Sequence, residues 1–446
     1  MRGNGDSWRK YRWHWKCAEK TVLTEKLIHY FRQIPDYRCG REKRHDLGEM
    51  LVCVTLGFLC GRTTIRRSLK WCKTHLEELR KHMNLKYGIA SPSTISRMLR
   101  GIDEELALCA FMEWIGEIVE SRNTHLAIDG KALCGATEKT KGETTPMLLN
   151  VVETVRGLLP AQLPVDSKTN EITAIPELLK LLDISGSIVT IDAVGTQTAI
   201  MEQIHEQGGH FVLTVKKNQP EAYEEIHTFM DKLGAEDLKR KKGEAMDPGM
   251  KEFLEKYEEI SQMEKNRDRN EYRTCQICKD ASNLTKSQKE WPHVQSIGRI
   301  KQVRIPKEKD SQGNDVTPSK EEFLEKGSRS IPAPSAGEGA GKDVQCTALI
   351  SDLILTAEEL GSIKRMHWSI ENRLHHVLDD TFREDRSPAK KSRNNLSLIR
   401  KYAYNILRLA MYETGLANIM TEMMDCFCDN AALRERYVFQ GIASLY

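Results

Sequence analysis

The 446-residue sequence lacks any long hydrophobic segment. Its longest largely apolar run, Leu51–Cys60, is too short to cross a bilayer, which takes about 20 residues. Residues 1–20 are basic and aromatic, whereas a secretory signal has an apolar stretch. The 12 cysteines are scattered, unlike those of a small disulfide-stapled secreted domain. These absences predict a soluble protein of the reducing cytoplasm, with no membrane partner.

The sequence also has little net charge, +3 from 67 Lys and Arg against 64 Asp and Glu. This balance conceals an asymmetry along the chain. Residues 1–100 hold 22 Lys and Arg against 9 Asp and Glu, a net charge of +13, which leaves −10 for residues 101–446. A basic first part is typical of a module that faces nucleic acid. The acidic remainder favours a part that uses carboxylates.

Apolar residues recur at helical spacing through the first part of the chain. Leu47–Cys60 is predicted to be a buried helix that stops at Gly61, and Thr63 or Thr64 is placed to cap the next helix. Pro92 follows Ser91 at the start of another short helix, whose polar side carries Ser93, Ser96, Arg97 and Arg100.

Such a helix after a short turn is what a helix-turn-helix places in the major groove of DNA. The alternative is an ordinary amphipathic surface helix. Together with the charge of +13, the pattern predicts a helical DNA-binding domain at residues 21–120, after a basic tail at residues 1–20. Arg97 and Arg100 are its candidate DNA contacts.

The pattern changes to α/β from His125 onward. A short strand ends at Asp129, a hairpin covers residues 147–155 and 158–165, and a helix covers 175–182. A strand at 187–191 then ends at Asp192, before a helix at 196–207 and a strand at 211–215. This is the order of a ribonuclease-H-like fold, an α/β layer around a mixed sheet. We predict the first part of a catalytic core at residues 122–232.

Regular patterning weakens after residue 232. Residues 306–342 are rich in Lys, Glu, Ser, Pro and Gly, which is typical of a solvated linker. Helical spacing returns at Thr356, and Arg386–Ala410 is amphipathic with seven Lys or Arg and no Asp or Glu. We predict an insertion with a flexible linker at 233–350, the second part of the core at 351–412 and a C-terminal tail at 413–446. Candidate DNA contacts of the second part are Lys390, Lys391 and Arg393.

Asp129 and Asp192 each follow a predicted strand. Alone, Asp129 is a turn residue before glycine, and Asp192 begins a loop or caps the helix near Thr196. In a ribonuclease-H-like order, however, the two strands are neighbours, so both carboxylates meet where open α/β sheets bind ligands. Two such carboxylates need positive charge between them, and Mg²⁺, with Mn²⁺ as substitute, suits oxygen ligands.

A third carboxylate completes a two-metal site for phosphodiester chemistry. The candidate is Glu371, on the predicted helix after Thr356. The alternative for Glu371 is a salt bridge with Lys364 or Arg365.

Several segments together resemble the bacterial insertion-sequence DDE transposases of the H-repeat-associated protein family. They are Ile128–Lys131, Lys168–Pro176, Thr190–Ala193, Lys216–Gln219, His367–Asn372, Leu378–Asp379 and Phe382–Asp385. The resemblance implies a ribonuclease-H-like core, a DDE triad at Asp129, Asp192 and Glu371 that binds the metal, and an N-terminal DNA-binding domain. Lys131, Asn218 and His367 fall on family motif positions, and we expect Lys131 and His367 to contact phosphate or orient a ligand.

The resemblance predicts a transposase that cleaves the ends of its insertion sequence with Mg²⁺ and joins them to target DNA, acting as at least a dimer. Two alternatives stay open: a structure-specific nuclease, and an inactive remnant that only binds DNA. The remnant is considered because the chain departs from the residues usual in the family, which are Arg at Cys134, Gly at Lys217, Trp at His376 and an apolar residue at Asp380.

Two zinc sites are weaker alternatives. Cys275 and Cys278 form half of a zinc knuckle that Cys426 and Cys428 could complete. His367, Glu371 and His375 also share a helix face at i, i+4 and i+8.

Overall fold

The computed structural model of the chain divides into two compact units. It describes residues 25–40, 43–132, 147–165, 171–265, 269–284, 291–306, 308–309, 315–316, 344–387 and 391–442. Unit one comprises the described residues of 1–124, 128–183 and 369–446, and unit two those of 125–127 and 184–368. The predicted tail at 1–20, Cys134, Lys390 and nearly all of the predicted linker lie outside the described residues. No described helix is long and apolar enough to cross a bilayer.

In sequence order, the helices of unit one come both before and after those of unit two. Those before it are α1 Leu27–Gln33, α2 Leu47–Leu59, α3 Ile65–Thr74, α4 Leu76–Leu79, α5 Pro92–Gly101, α6 Glu104–Gly116 and α7 Glu171–Leu179. Unit two holds α8 Thr198–Glu206, α9 Pro220–Lys242, α10 Lys251–Glu255 and α11 Ala357–His367. Unit one resumes with wide π-type turns at Ile370–His375 and Val377–Thr381, then α12 Arg393–Thr414, α13 Met420–Asp429 and α14 Ala431–Arg434.

The strands divide between the units, with β1 contributing to both. They are β1 His125–Ala132, β2 Met147–Glu153, β3 Leu158–Val165, β4 Ile188–Ile191, β5 His210–Val215, β6 Tyr257–Lys265, β7 Arg269–Cys278, β8 Ser296–Pro306, β9 Glu308–Lys309, β10 Asp315–Val316 and β11 Val344–Ser351. In unit one the strand order is β3-β2-β1. In unit two the first residues of β1 begin the order β1-β4-β5-β11-β8-β7-β6. Among the described strands, β9 and β10 form a separate two-stranded sheet.

Helix α12 is the centre of unit one. Its Tyr402 is fully buried, and its ring lies 4.7 Å from the rings of both Phe31 and Trp114 and 4.9 Å from that of Phe111. Asn405 of the same helix exchanges hydrogen bonds with the Leu159 backbone in the hairpin. The predicted domain at 21–120 is therefore not a separate compact unit, because its core is completed by residues from the other end of the chain.

The predicted signals at Gly61, Thr64 and Ser91 are confirmed, and the structure adds a cap at Asp46. The Asp46 side chain caps α2 and the Thr64 side chain caps α3, where each accepts a backbone hydrogen bond, and Gly61 follows α2 with a φ of +70°. Ser91 caps α5. Residues 80–91 separate α4 from α5, far more than the three- or four-residue turn of a helix-turn-helix. The short turn expected before α5 is therefore wrong.

The predicted insertion forms much of the sheet in unit two. Strands β4 and β5 are parallel, and β11, β8, β7 and β6 extend the sheet in antiparallel register. Their sequences are polar, but the polar groups pair across the strands. Gln302 donates to Glu271 at 2.6 Å, and Arg299 donates to Gln276 at 2.9 Å, all four being buried. A strand stabilised in this way has no clear apolar alternation in its sequence.

Three further boundaries differ from prediction. Strand β1 continues past Asp129 to Ala132, so this residue lies within a strand. Helix α11 starts as predicted with a capping box between Thr356 and Glu359, but the α-helical segment ends at His367 rather than near Leu378. The predicted tail at 413–446 contains α13 and α14.

Candidate active site

Asp129 lies on strand β1 of unit one with 26% of its side chain exposed. Its Oδ1 accepts a hydrogen bond from the Gly130 backbone at 2.9 Å. Lys131 lies two residues on and therefore on the same face of the strand. Only 5% of the Lys131 side chain is exposed, and its Nζ is 2.5 Å from Asp379 Oδ1. The predicted catalytic carboxylate thus has beside it on the strand a buried lysine that pairs with the partly exposed Asp379.

His375 is the side chain next to Asp129 that the sequence had offered only as a zinc ligand. Its Nδ1 lies 3.7 Å from Asp129 Oδ2. Burial, and then the charges of Lys131 and Lys401, lower the pKa of His375 to about 3. The imidazole is therefore neutral near pH 7 and adds no positive charge beside Asp129.

A buried polar chain continues from His375 into the core of unit one. His375 Nε2 is 3.3 Å from Asn150 Nδ2, and Asn150 Oδ1 accepts from Lys401 Nζ at 2.8 Å. Lys401 is fully buried and also donates to Gln162. Burial lowers the pKa of Lys401 to about 8. These contacts fix the imidazole that faces Asp129.

Glu371 is exposed and lies in the wide π-type turn at Ile370–His375, also in unit one. Such turns are rare and are frequent at functional sites. The partners of the predicted alternative, Lys364 and Arg365, belong to unit two, where each has a carboxylate nearby. Arg365 is 2.5 Å from Glu264, and Lys364 is near Asp192. Among the described residues the Glu371 carboxylate has no ion-pair partner.

Asp192 follows β4 in unit two. Its Oδ2 accepts a hydrogen bond from Lys216 Nζ at 2.7 Å, and its Oδ1 lies 3.9 Å from Lys364 Nζ. Burial raises the pKa of the Asp192 carboxyl, but the hydrogen bond from Lys216 and the charge of Lys364 outweigh it and hold the pKa below its usual value. The Asp192 side chain does not cap the short helix after it, so the capping alternative is wrong.

The motif at residues 216–219 holds the loop that carries Asp192. Besides the Lys216 contact, Asn218 Nδ2 donates to the Ala193 carbonyl at 3.0 Å, and Gln219 Nε2 donates to the Thr196 carbonyl at 2.5 Å. The sequence marked this segment as a family motif, but it did not single out Lys216 as the partner of Asp192.

His367 is buried in unit two, with 5% exposed. Its Nδ1 is 2.9 Å from Thr190 Oγ1, which is 3.0 Å from His125 Nε2. Burial, followed by the Lys364 charge, lowers the pKa of His367 to about 3, and burial lowers the pKa of His125 to about 4. A DNA contact by His367 or Lys131 stays a prediction, and their burial favours a positioning role.

The remaining predicted DNA contacts lie in unit one. Arg100 and Lys391 line one cavity, Arg97 lines a neighbouring one, and Arg393 begins α12. Lys390 lies outside the described residues.

The donor chemistry fits a divalent cation better than zinc. Carboxylate oxygens at Asp129, Asp192 and Glu371 are ligands that Mg²⁺ prefers. A cation bound at Asp192 would take the place of the Lys216 ammonium, whose side chain is 52% exposed. Within the described residues, no group of three or more His, Cys, Asp or Glu side chains is already arranged around a metal position. The zinc set at His367, Glu371 and His375 is therefore not formed.

The cysteine pairs do not form a zinc knuckle either. Cys275 and Cys278 are three apart on strand β7, so their side chains point to opposite faces. Burial raises the pKa of each thiol to about 11, which disfavours the thiolate that zinc requires. Cys426 and Cys428 belong to the other unit. The thiols of β7 are packing residues, and the Cys275 Sγ lies close to Gly361 of α11.

Comparison with known proteins identifies the class. Residues 120–406 match the family described as Transposase DDE domain, and residues 28–115 match the family described as DDE_Tnp_1-associated. The chain therefore belongs to the DDE transposases, among the H-repeat-associated proteins. The first match spans all three predicted catalytic carboxylates.

Particular relatives agree with this family. The chain is 28% identical over 388 residues to the "H repeat-associated putative transposase YhhI" of Escherichia coli strain K12, an alignment that covers 86% of this chain and 90% of that protein. It is 32% identical over 196 residues to "H repeat-associated putative transposase YbfD" of the same strain, covering 44% and 78%. A piggyBac transposase in a synaptic complex with hairpin DNA aligns at a TM-score of 0.38 and 11% identity, covering 93% and 79%, which is too distant to carry an argument.

Proposed function

We propose that this protein cleaves the ends of an insertion sequence and joins them to target DNA by divalent-metal-dependent phosphodiester hydrolysis and strand transfer. The observation that carries the proposal is the family match over residues 120–406, which contains Asp129, Asp192 and Glu371 at the motif positions of the resemblance. The strand orders β3-β2-β1 and β1-β4-β5 of the two units are those expected of a ribonuclease-H-like core, and we include that core in the proposal.

Asp129, Asp192 and Glu371 would hold the metal ions. Mg²⁺, or Mn²⁺ as substitute, would supply activation of the attacking hydroxyl and stabilisation of the leaving oxygen. Phosphoryl transfer leaves little covalent work for side chains, and no nucleophilic Ser, Cys or His is needed. The chain's own residues orient the carboxylates: neutral His375 beside Asp129, and Asn218 and Gln219 on the loop of Asp192.

Buried Lys131 and His367 act in this proposal as positioning residues. Lys131 holds Asp379 of the segment that follows Glu371, and His367 holds Thr190 two residues before Asp192. Each therefore connects the chain near one catalytic carboxylate to a neighbouring element. DNA is the partner of the proposed reaction, and a homo-oligomer acting on paired ends is part of the proposal.

End cleavage and joining in vitro test the proposal. The full chain is incubated with Mg²⁺, a target plasmid and a labelled duplex carrying the DNA that flanks its reading frame. We expect nicked ends and joined products from the parent, and neither from the double variant Asp129→Asn with Glu371→Gln. Cleavage without joining would point to a nuclease, and end binding without cleavage would point to an inactive remnant. Equal cutting by the double variant would overturn the assignment of the triad.

A further inference from the structure

A cavity of about 620 Å³ in unit one brings together three segments that are far apart in the sequence. They are the start of α3, the end of α5, and the chain from residue 383 into α12. We call this cavity the basic cleft, because its described lining includes six cations and no carboxylate. These cations are Arg66, Arg100, Arg383, Arg386, Lys391 and Arg400.

Five of the six cations are exposed and uncompensated. Only Arg400 is buried, and among the described residues none of the others has an acidic partner. Some exposed cations elsewhere do have such a partner: on α9, for example, Lys241 pairs with Asp237 at 2.7 Å. Like charges gathered without counterions repel each other, and this repulsion is relieved when an anion binds.

One cation that lines the basic cleft, Arg400, is buried and belongs to the core. Arg400 is 3% exposed, and the nearest atoms of its ion pair with buried Glu384 are 3.7 Å apart. Arg400 Nε has no hydrogen-bond partner among the described residues. A buried guanidinium with an unused donor is costly unless something else accepts from it.

Two helix starts add backbone donors. Thr64 and Ser392 line the basic cleft and precede the first residues of α3 and α12. The Ser392 side chain makes no capping hydrogen bond, so it does not occupy the first-turn N–H groups of this 22-residue helix. Helix N-termini favour phosphate oxygens through these N–H groups and the helix dipole.

The positive surface continues beyond the basic cleft. A second cavity, of about 700 Å³, lies along α5 and is lined by Tyr37, Arg38, Thr94, Arg97, Met98, Arg100 and Gly101. Arg100 belongs to both cavities, so the basic surface passes across α5. A surface of this extent fits a polymer of phosphates better than a single small anion.

We propose that the basic cleft and the cavity beside it hold the sugar-phosphate backbone of duplex DNA. The sequence predicted two separate basic surfaces, around Arg97 and Arg100 and around Lys391. In the structure Arg100 and Lys391 line the same cleft, and Arg66, Arg383, Arg386 and Arg400 are assigned to DNA for the first time. The inference rests on the proposed function in that the DNA bound there is the transposase substrate.

Salt-dependent binding tests the proposal. The full chain is titrated into a fluorescein-labelled 30-bp duplex of mixed sequence, without divalent metal, between about 50 and 200 mM salt. Losing one phosphate contact lowers the slope of log K against log salt by about 1. We expect this loss, with weaker binding, for each of Arg66→Gln, Arg386→Gln and Lys391→Gln, all at exposed positions. Arg386→Lys keeps the charge and should keep the slope.

The matched control is Lys180→Gln, which removes one exposed cation from unit one outside both cavities. Its slope should equal that of the parent. Unchanged slopes in all three cleft variants would overturn the proposal, as would equal losses in the control. Unlabelled duplex and unlabelled single strand of the same sequence are then compared as competitors of the labelled duplex. A single strand that competes better than the duplex would overturn the assignment to duplex DNA.

The same proteins separate this inference from the proposed function. If the cleft variants keep the parental slope while the parent cuts DNA ends, the basic cleft is wrong and the proposed function stands. If they lose slope while the parent does not cut, the DNA interface stands and the proposed chemistry fails.

Discussion

At the scale of single residues, the structure identifies polar neighbours of the candidate carboxylates that the sequence motifs did not predict. The sequence nominated Asp129, Asp192 and Glu371 because carboxylates in this order suit metal chemistry. It did not identify the neutral His375 beside Asp129 or the Lys216 ammonium on Asp192. Both pairs join residues that are distant in the chain, and no local pattern records such a contact.

Two departures from the family pattern are also explained by a contact. His376 and Asp380 are one helical turn apart, and His376 Nδ1 lies 3.1 Å from Asp380 Oδ2. Both side chains are mostly exposed. The family's Trp and apolar residue are thus replaced by two polar groups that interact with each other at the surface.

Replacing His375 tests its positioning role. We expect His375→Ala to lower end cleavage about 10- to 100-fold, because partners that orient metal ligands typically contribute that much. The loss should be partly recovered at higher Mg²⁺, since the carboxylates themselves remain. The control is His376→Ala, whose exposed imidazole faces Asp380. Cleavage rates measured across a Mg²⁺ titration decide this, and a His375→Ala enzyme with the parental Mg²⁺ dependence would refute the role.

Buried His125 predicts acid sensitivity. Its pKa is about 4 in the folded protein, whereas an unfolded histidine has a pKa of about 6.5. Between these pH values the unfolded chain binds the proton and the folded chain does not. The contribution of His125 to the free energy of unfolding is therefore fully present above pH 6.5 and is lost as the pH falls toward 4. This one group contributes on the order of 3 kcal/mol over the window.

Urea unfolding at pH 7 and pH 5 measures this effect. The parent should lose more stability than His125→Asn on going to pH 5. An equal loss in both proteins would show that His125 is not the cause.

At the scale of secondary-structure elements, prediction succeeded where signals are local. Caps at Thr64, Ser91 and Thr356 were visible because capping depends on residues three or four apart. The hairpin of β2 and β3 was also predicted, with Gly157 in its turn at a φ of +75°. Strands β7 and β8 were missed because buried polar side chains such as Glu271 and Gln302 pair across the sheet and hide the apolar alternation.

The packing of α2 on α3 gives an element-scale prediction. A Cβ at Gly57 would lie 2.1 Å from Ser68 Cβ, and the two residues are buried. We expect Gly57→Ala to destabilise the protein by about 1–3 kcal/mol through overpacking. At Gly234 of α9 the nearest atom is Gln276 Nε2 at 3.3 Å, so a Cβ would require a shift of only a few tenths of an ångström. Gly234→Ala should cost little, because Ala favours helix by up to about 1 kcal/mol.

Chemical denaturation of both variants checks this contrast. If Gly57→Ala is as stable as the parent, the close approach of α2 and α3 is not as described.

At the scale of the whole molecule, each compact unit is assembled from stretches that are separate in the sequence. The predicted boundaries at 21–120 and 413–446 followed changes in pattern along the chain. Unit one instead combines the first helices, the hairpin and the last helices around α12. Sequence patterning shows which face of α12 is apolar, but not that its Tyr402 packs against rings near residues 31 and 111.

The end of the chain therefore contributes to stability. Arg434 is buried, pairs with Glu78 at 2.8 Å, and donates to the Cys428 carbonyl at 2.8 Å. We expect Arg434→Met to lower the free energy of unfolding by roughly 2 kcal/mol, because charge-assisted hydrogen bonds are lost and Glu78 is left unpaired. Arg436→Met, at a more exposed ion pair with Glu413, is the control. Equal stability of the two variants would argue against a structural role for this end.

The central claim is that Asp129, Asp192 and Glu371 are metal ligands for cutting DNA, and a metal-specificity switch tests it most directly. Each is replaced by Cys in turn, and cleavage of the flanking-DNA duplex is measured with Mg²⁺ and with Mn²⁺. Thiolate is a poor ligand for Mg²⁺ and a better one for softer cations. The account predicts that every variant is inactive with Mg²⁺, regains cleavage with Mn²⁺ and binds DNA like the parent. Parental cleavage with Mg²⁺ by any of the three variants would contradict it.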